Sequence, residues 1–249
     1  MADLAGCVAV HVSLLELAVL LLAVLAGATV QGSIGFGVNL VAVPVVALVE
    51  PSALPTTLVA LALPLTIVMV LREHRHIDRP GLGWGLLGRA PGTIVGVWIV
   101  VVVSTDMLAV IIGATVLLAV AASIMSPPIP VTPGTALTAG FASGLFGTAT
   151  SIGGPPLALV YQHHDGPVLR STLAAAFMVG IAFSLTGLGV GGQVEGWQLL
   201  LALALVPGLF VGLWLSGPLA RFVDVSLLRP AVLAFSAVTG ALAIVRGVW

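Results

Sequence analysis

Arg89 is the residue whose placement most demands a chemical explanation. It lies about eight residues into an apolar run, roughly 12 Å along a helix at 1.5 Å per residue. A charge at that depth is expensive, and such side chains face a cavity or a partner. A guanidinium is planar and permanently charged and can fork onto two oxygens, so it suits a sulfonate, a phosphate or a carboxylate. The competing reading is a side chain that snorkels to the cytoplasmic headgroups.

Two glycine-rich stretches offer complementary chemistry. The first reads Gln31-Gly32-Ser33-Ile34-Gly35-Phe36-Gly37-Val38-Asn39, and the second runs from Gly144 through Gly147-Thr148-Ala149-Thr150-Ser151-Ile152-Gly153-Gly154 to Pro155-Pro156. Glycine lets a ligand approach the backbone closely. A helix that starts after such a turn aims free N–H groups and a partial positive charge outward, which suits an anion. The expected binding residues are Gln31, Ser33, Gly35, Gly37 and Asn39 from the first stretch, Gly147, Thr148, Thr150, Ser151 and Gly153 from the second, and Arg89 as counter-charge. Small residues also occur wherever membrane helices pack closely. Two such stretches at matching places in a duplicated chain favour a site over packing alone.

The other polar residues carry less. His163-His164-Asp165 reads as a polar helix end at the membrane face rather than a proton relay or metal site. His74 and His76 sit in an Arg-rich loop and read as solvated, and His11 with Glu16 reads as an interfacial pair near the first helix start. Cys7 is the only cysteine, which excludes intrachain disulfides and Cys-based metal sites. No His-x-Glu-x-x-His, Walker or cysteine-cluster motif is present, so no metal, cofactor, nucleotide-driven pumping or enzymatic activity is expected.

The elements that must position these residues are helices in lipid. Of 249 residues, 59% are hydrophobic and 7% charged, against about 25% charged in soluble proteins. Apolar stretches fall at roughly 8–30, 53–71, 82–103, 106–125, 168–190, 196–217 and 226–246, each near the ~20 residues that cross a bilayer. Two interrupted regions, roughly 31–50 and 134–163, do not read as continuous helices. Short connectors leave no room for a soluble catalytic domain. A net charge of −1 gives no basis for a nucleic-acid partner. The N-terminus has no basic region or cleavage site, so a removed signal peptide is not expected.

The chain repeats itself. Pro91-Gly92-Thr93-Ile94-Val95-Gly96-Val97-Trp98 matches Pro207-Gly208-Leu209-Phe210-Val211-Gly212-Leu213-Trp214, and Gly83-Trp84 matches Gly196-Trp197. Upstream, Gly32 falls on Gly144, Gly35 on Gly147 and Pro44 on Pro156. Arg89 has no charged counterpart, since repeat two offers Leu200, Leu201 and Leu203 there. These matches predict a first repeat over 1–125, a Pro-rich linker over 126–133 and a second repeat over 134–249. If each interrupted region re-enters, each repeat has four spans and the halves run parallel. If each crosses with short helices, each repeat has five and the halves are inverted. The inverted arrangement puts Arg72, Arg75, Arg79, Arg170, Arg221 and Arg229 on one side, as the positive-inside rule prefers. The expected fold is an all-α integral membrane protein of two inverted repeats of about five helices each. Short broken helices open each repeat, and both termini lie outside. Such repeats with broken helices are a known transporter plan.

The run Gly32-Ser33-Ile34-Gly35-Phe36-Gly37 through Val43-Pro44, with its echo Gly140-Phe141-Ala142-Ser143-Gly144-Leu145-Phe146-Gly147 through Gly154-Pro155-Pro156, resembles the TauE/SafE sulfite-exporter family. The resemblance covers nearly the whole chain and rests on loose Gly- and Pro-based motifs. It implies a secondary transporter in the cytoplasmic membrane, exporting sulfite or a small organosulfonate and needing no cofactor. Its expected partners are the small anion and the bilayer, with a homodimer left open. Family members are also linked to other organic acids. Thr148-Ala149-Thr150-Ser151 departs from the pattern, where more glycine is expected. Against transport stands a membrane scaffold, which predicts no polar cavity between the Gly-rich regions. An intramembrane enzyme lacks an acid–base constellation, and a channel would need more polar residues along the spans. Trp84, Trp98, Trp197, Trp214 and Trp249 are expected in interfacial belts or helix contacts.

Overall fold

The computed structural model describes residues 12–34, 37–125, 129–219 and 225–248, leaving out the side chains of 33–34, 73, 217–219 and 225–230. Among the described residues there are ten α-helices and no strand. They are α1 (Leu14–Ile34), α2 (Val38–Val49), α3 (Thr56–Glu73), α4 (Arg79–Val102), α5 (Thr105–Met125), α6 (Pro133–Ala149), α7 (Gly154–Tyr161), α8 (Gly166–Val190), α9 (Gly196–Leu219) and α10 (Val225–Val248). Six of them are long and apolar enough to cross a membrane, and the seventh apolar stretch, Thr56–Arg72, is shorter.

Local chemistry sets the helix starts. Ser13 and Glu16 cap α1 reciprocally, the Ser13 N–H donating to Glu16 and the Glu16 N–H to Ser13. Glu16 is thus a capping residue; His11, its expected partner, lies outside the described residues. Asp78 caps α4 through the Gly81 N–H at 3.3 Å, and Thr132 with Thr135 forms a capping box on α6. His163, His164 and Asp165 are exposed between α7 and α8, and His74 and His76 are exposed beyond α3. Among the described residues, no group of three metal-binding side chains forms.

Glycines decide which helices touch. α4 and α6 run side by side in parallel, with Gly85 on Gly140, Gly88 on Leu137, Gly92 on Phe141 and Gly96 on Leu145. α1 and α9 repeat this arrangement, with Gly208 on Leu21, Gly212 on Leu25 and Gly32 on Ser216. At each contact a missing Cβ lets one backbone approach its neighbour. α5 and α10 run antiparallel, Gly247 lying on Asp106 and Gly113 on Gly240. α3 and α8 are also antiparallel. Thr56 at the start of α3 bonds the Gln193 carbonyl beyond α8, and Asp78 beyond α3 bonds Thr172 near the start of α8.

α2 folds back on α1, its Val38 carbonyl resting on Gly27, and α7 folds back on α6 through Gly153 and Gly147. The Tyr161 hydroxyl donates to Asp78 at 2.8 Å, which brings the end of α7 to the end of the bundle carrying Arg72, Arg75 and Arg79. The end of α2 lies at the opposite end, where Gln198 donates to the Ser52 carbonyl at 2.8 Å. Arg170, in the first turn of α8, joins the basic end. Arg221 lies outside the described residues and the Arg229 side chain is not described.

The outward faces are apolar: Ile94, Trp98, Leu118, Leu203 and Trp214 are each more than 60% exposed, which suits lipid. Trp84 is also partly exposed, whereas Trp197 is buried and donates to Glu195. Trp249 lies outside the described residues.

The α4–α6 contact is testable. A Cβ at Gly92 would meet the Phe141 carbonyl, whereas one at Gly83 meets nothing within 4 Å. Gly92→Val is expected to destabilise by about 3 kcal/mol, lowering the unfolding midpoint in detergent by about 6–12 °C. Gly83→Ala should leave the midpoint unchanged or raise it, and equal midpoints for both variants would contradict the packing.

Candidate functional site

The two helix breaks face each other across a hollow. Residues from α1–α2, α3, α4, α6–α7 and α8 line it, and its cavity volume is about 80 Å³. At roughly 10–15 Å³ per water, that space holds several waters or one small anion.

Each break is stapled by one side chain of the helix that precedes it. At the first, the Gln31 carbonyl oxygen accepts from the Val38 N–H at 2.9 Å, and Gly37 holds a φ of 128° that only glycine adopts readily. At the second, Ser143 Oγ donates to the Gly153 carbonyl at 2.6 Å. Ser151 sits there at φ 61°, the left-handed region that a non-glycine residue rarely occupies. Pro155 and Pro156 follow at once and prevent α6 from running on, because proline lacks the N–H and clashes with the preceding turn. Asn39 Nδ2 then donates to the Ser151 carbonyl at 2.6 Å, tying one break to the other, and Ser151 Oγ donates to Pro55 at 3.0 Å. The offset that sets Gly32 on Gly144 also sets Gln31 on Ser143 and Asn39 on Ser151. Gln31 and Ser143, matched by that offset, each bond the backbone of the break that follows them.

Arg89 enters this hollow from α4. It is the eleventh residue counted from Arg79 in a helix of 24, roughly 15 Å along it, so it lies deeper than the apolar run alone suggested. Only 3% of it is exposed, and it does not reach the headgroups. Nη1 donates to Ser143 Oγ at 2.7 Å, and the guanidinium carbon stands 5.9 Å from the Phe177 ring centroid, within cation–π range. Nε has no hydrogen-bond partner. The guanidinium lies on the α8 backbone at Gly180, where a Cβ would be 1.7 Å from Nε. Among the described residues lining the hollow there is no Asp or Glu.

Of the residues expected from sequence, Gln31, Gly37, Asn39, Arg89, Gly147, Ser151 and Gly153 line the hollow. Thr148 and Thr150 are not among its lining. Thr148 pairs with Ser184 at 2.7 Å, and Thr150 bonds the Phe146 carbonyl in its own helix at 2.7 Å. The Ser33 side chain and Gly35 lie outside what is described. Expected amide donors are also fewer than the breaks suggested. Val38 spends its N–H on Gln31, and two of the first three residues of α7 are prolines without one. The formal charge of the site is therefore carried by Arg89.

Sequence reasoning did not single out Ser143, Phe177, Gly180 or Ser184. Ser143 was findable, because it is the repeat counterpart of Gln31. Gly180 carried no signal, since nothing in the chain says which helix lies under Arg89. Counted from the shared prolines, Arg89 falls on Leu205 rather than on Leu200–Leu203, and Leu205 is fully buried. A scaffold was expected to leave no polar cavity between the glycine-rich regions; here a largely apolar hollow lies between them, to which Arg89, Asn39 and Ser151 add polar groups.

Comparison with known proteins adds one result. The family described as Sulfite exporter TauE/SafE matches residues 19–243. No curated protein and no solved structure matches the chain.

The seat of Arg89 on Gly180 can be tested at a distance from the charge itself. Gly180→Ala is expected to displace the guanidinium and weaken binding of a small oxyanion probe at least tenfold, measured as a probe-induced rise in melting midpoint. The ligand-free midpoint should move by less than about 4 °C. Undiminished ligand stabilisation would show that the seat does not matter.

Proposed function

The chain belongs to the TauE/SafE sulfite-exporter family, and on that premise we propose that it exports sulfite or a small organosulfonate across the cytoplasmic membrane. Family membership and six long apolar helices make it a multi-pass membrane transporter rather than an enzyme. The observation that carries the substrate reading is Arg89: a buried cation, free at Nε, on a hollow lined by both helix breaks. Ser151 and Asn39 supply neutral polar groups there, and the short helices α2 and α7 start at its edge, where their dipoles favour an anion. Phe177, Ile181, Val59 and Leu65 form an apolar wall. That wall favours an anion with a short carbon tail, so a small organic acid is the second reading.

The architecture we infer is two inverted repeats, α1–α5 over residues 1–125 and α6–α10 over 134–249, joined by the linker 126–133. Its support is directional. Exchanging the halves maps the α1–α9 contact onto α6–α4, and the counterpart pairs α3/α8 and α5/α10 each run antiparallel. Parallel repeats would set those pairs parallel. Movement of one bundle against the other would alternate access to the hollow. The basic end would be cytoplasmic and both termini outside.

Two measurements test this reading. In reconstituted vesicles, outward gradients of sulfite, taurine, sulfoacetate and a carboxylate analogue should drive movement of at least one sulfur anion. Arg89→Gln should reduce that movement at least a hundredfold, about 2.7 kcal/mol or more of lost charge-assisted binding. Immobility of every anion would end the transport reading. Single cysteines at Arg75 and Arg170, in a Cys7→Ser background, should label from the same side. Labelling from opposite sides would reject the inverted arrangement.

A further inference from the structure

We propose that the site runs as an anion exchanger: the outgoing anion must be replaced by a second anion before the empty site can turn. This rests on the anion-transport reading above and adds its mode.

The argument starts from where charge is absent. Every described acidic residue sits at a helix end: Glu16 in the first turn of α1, Glu50 after α2, Glu73 closing α3, Asp78 before α4, Asp106 in the first turn of α5, Asp165 before α8 and Glu195 before α9. The described histidines lie in the exposed connectors. The other acidic residues and the remaining histidine, Asp3, Asp224 and His11, fall outside the described residues. Arg89 is thus the one described ionisable residue deep in the bundle. It cannot be neutralised by losing its proton.

Its neighbours do not neutralise it either. Ser143 Oγ, its single hydrogen-bond partner, also donates to the Gly153 carbonyl and so is already in use. Phe177 contributes a ring face and Gly180 contributes only space. With an anion bound, the occluded hollow holds a compensated pair. Without one, turning must carry through the bundle a cation that is only 3% exposed and has no counter-charge, and a buried unpaired charge is strongly unfavourable. The loaded site therefore turns readily and the empty site turns slowly. A carboxylate within reach of Arg89 would have removed this restriction, and the lining carries none among the described residues.

Coupling follows from the same charge balance. No described side chain in the hollow can trade the anion for a proton, so what restores the charge balance at Arg89 is a second small anion. A like-for-like exchange moves no net charge.

The test uses the full chain in vesicles loaded with radiolabelled sulfite. Efflux into buffer whose anion is a large impermeant one is compared with efflux into buffer holding unlabelled sulfite, or a small carboxylate, at equal ionic strength. External sulfite should accelerate release of the label at least tenfold. A potassium diffusion potential of either sign should change the sulfite–sulfite rate less than twofold. Equal release with and without an external small anion, or release that follows the imposed potential, overturns exchange while leaving anion transport standing. Label that stays inside under every condition, as in protein-free vesicles, overturns both.

Discussion

A guanidinium placed inside a membrane protein must be held by something, and here it is held almost entirely by neutral atoms. Arg89 has one hydroxyl at 2.7 Å, one aromatic face and a glycine backbone beneath it. An arginine buried with a carboxylate is a closed structural unit, and its charge is spent on its partner. An arginine buried against Ser143, Phe177 and Gly180 keeps its charge available. That constraint accounts for the shape of the surrounding bundle. α8 can pass under Arg89 only because residue 180 lacks a side chain, and α6 can approach α4 only because Gly140 and Gly144 lie on the Gly85 and Arg89 carbonyls.

The helix breaks serve the same end. An unbroken α6 would occupy the space now open between the two halves. Pro155 and Pro156 end that continuity, and Ser151 accepts a left-handed φ to turn the chain. Breaking a helix in lipid exposes backbone groups that must find partners. Gln31 and Ser143 satisfy one group at each break, and Asn39 satisfies the Ser151 carbonyl across the gap. Few amides remain free at the breaks, and the formal charge at the hollow is that of Arg89.

The parts of this arrangement written in local sequence were legible before the structure. Apolar runs locate the long helices to within three residues, except the first, expected over 8–30 and found at Leu14–Ile34, because a bilayer fixes their length. Clusters of Gly and Pro locate both breaks, because those residues cannot continue a helix cheaply. The depth of Arg89 marks it as a side chain that needs a cavity or a partner, because desolvating a charge is expensive wherever it occurs. What was not legible depends on contacts between distant segments. Thr148 and Thr150 read as donors to a ligand, yet one hydroxyl is taken by Ser184 and the other by its own helix. Hydroxyls near a break are as ready to satisfy the backbone as a ligand, and only the direction of the side chain decides. Phe177 and Gly180 were invisible because α8 reads as an ordinary apolar span.

The sequence match between the two glycine-rich stretches makes the asymmetry of the hollow informative. Gln31 and Ser143 are counterparts, as are Asn39 and Ser151, and each pair still works on the backbone of the breaks. Arg89 and Leu205 are counterparts that have parted. One is a cation at the hollow and the other lies wholly in the apolar core. The positions that hold the fold open have stayed alike in role, while the position that carries charge differs completely. A second arginine at residue 205 would add another cation to a core cluster of Leu, Val and Ala, with no carboxylate described nearby. A leucine at residue 89 would leave both breaks stapled and the hollow uncharged. Residues of both glycine-rich stretches therefore line the cavity, and among its described lining Arg89 alone gives it a formal charge.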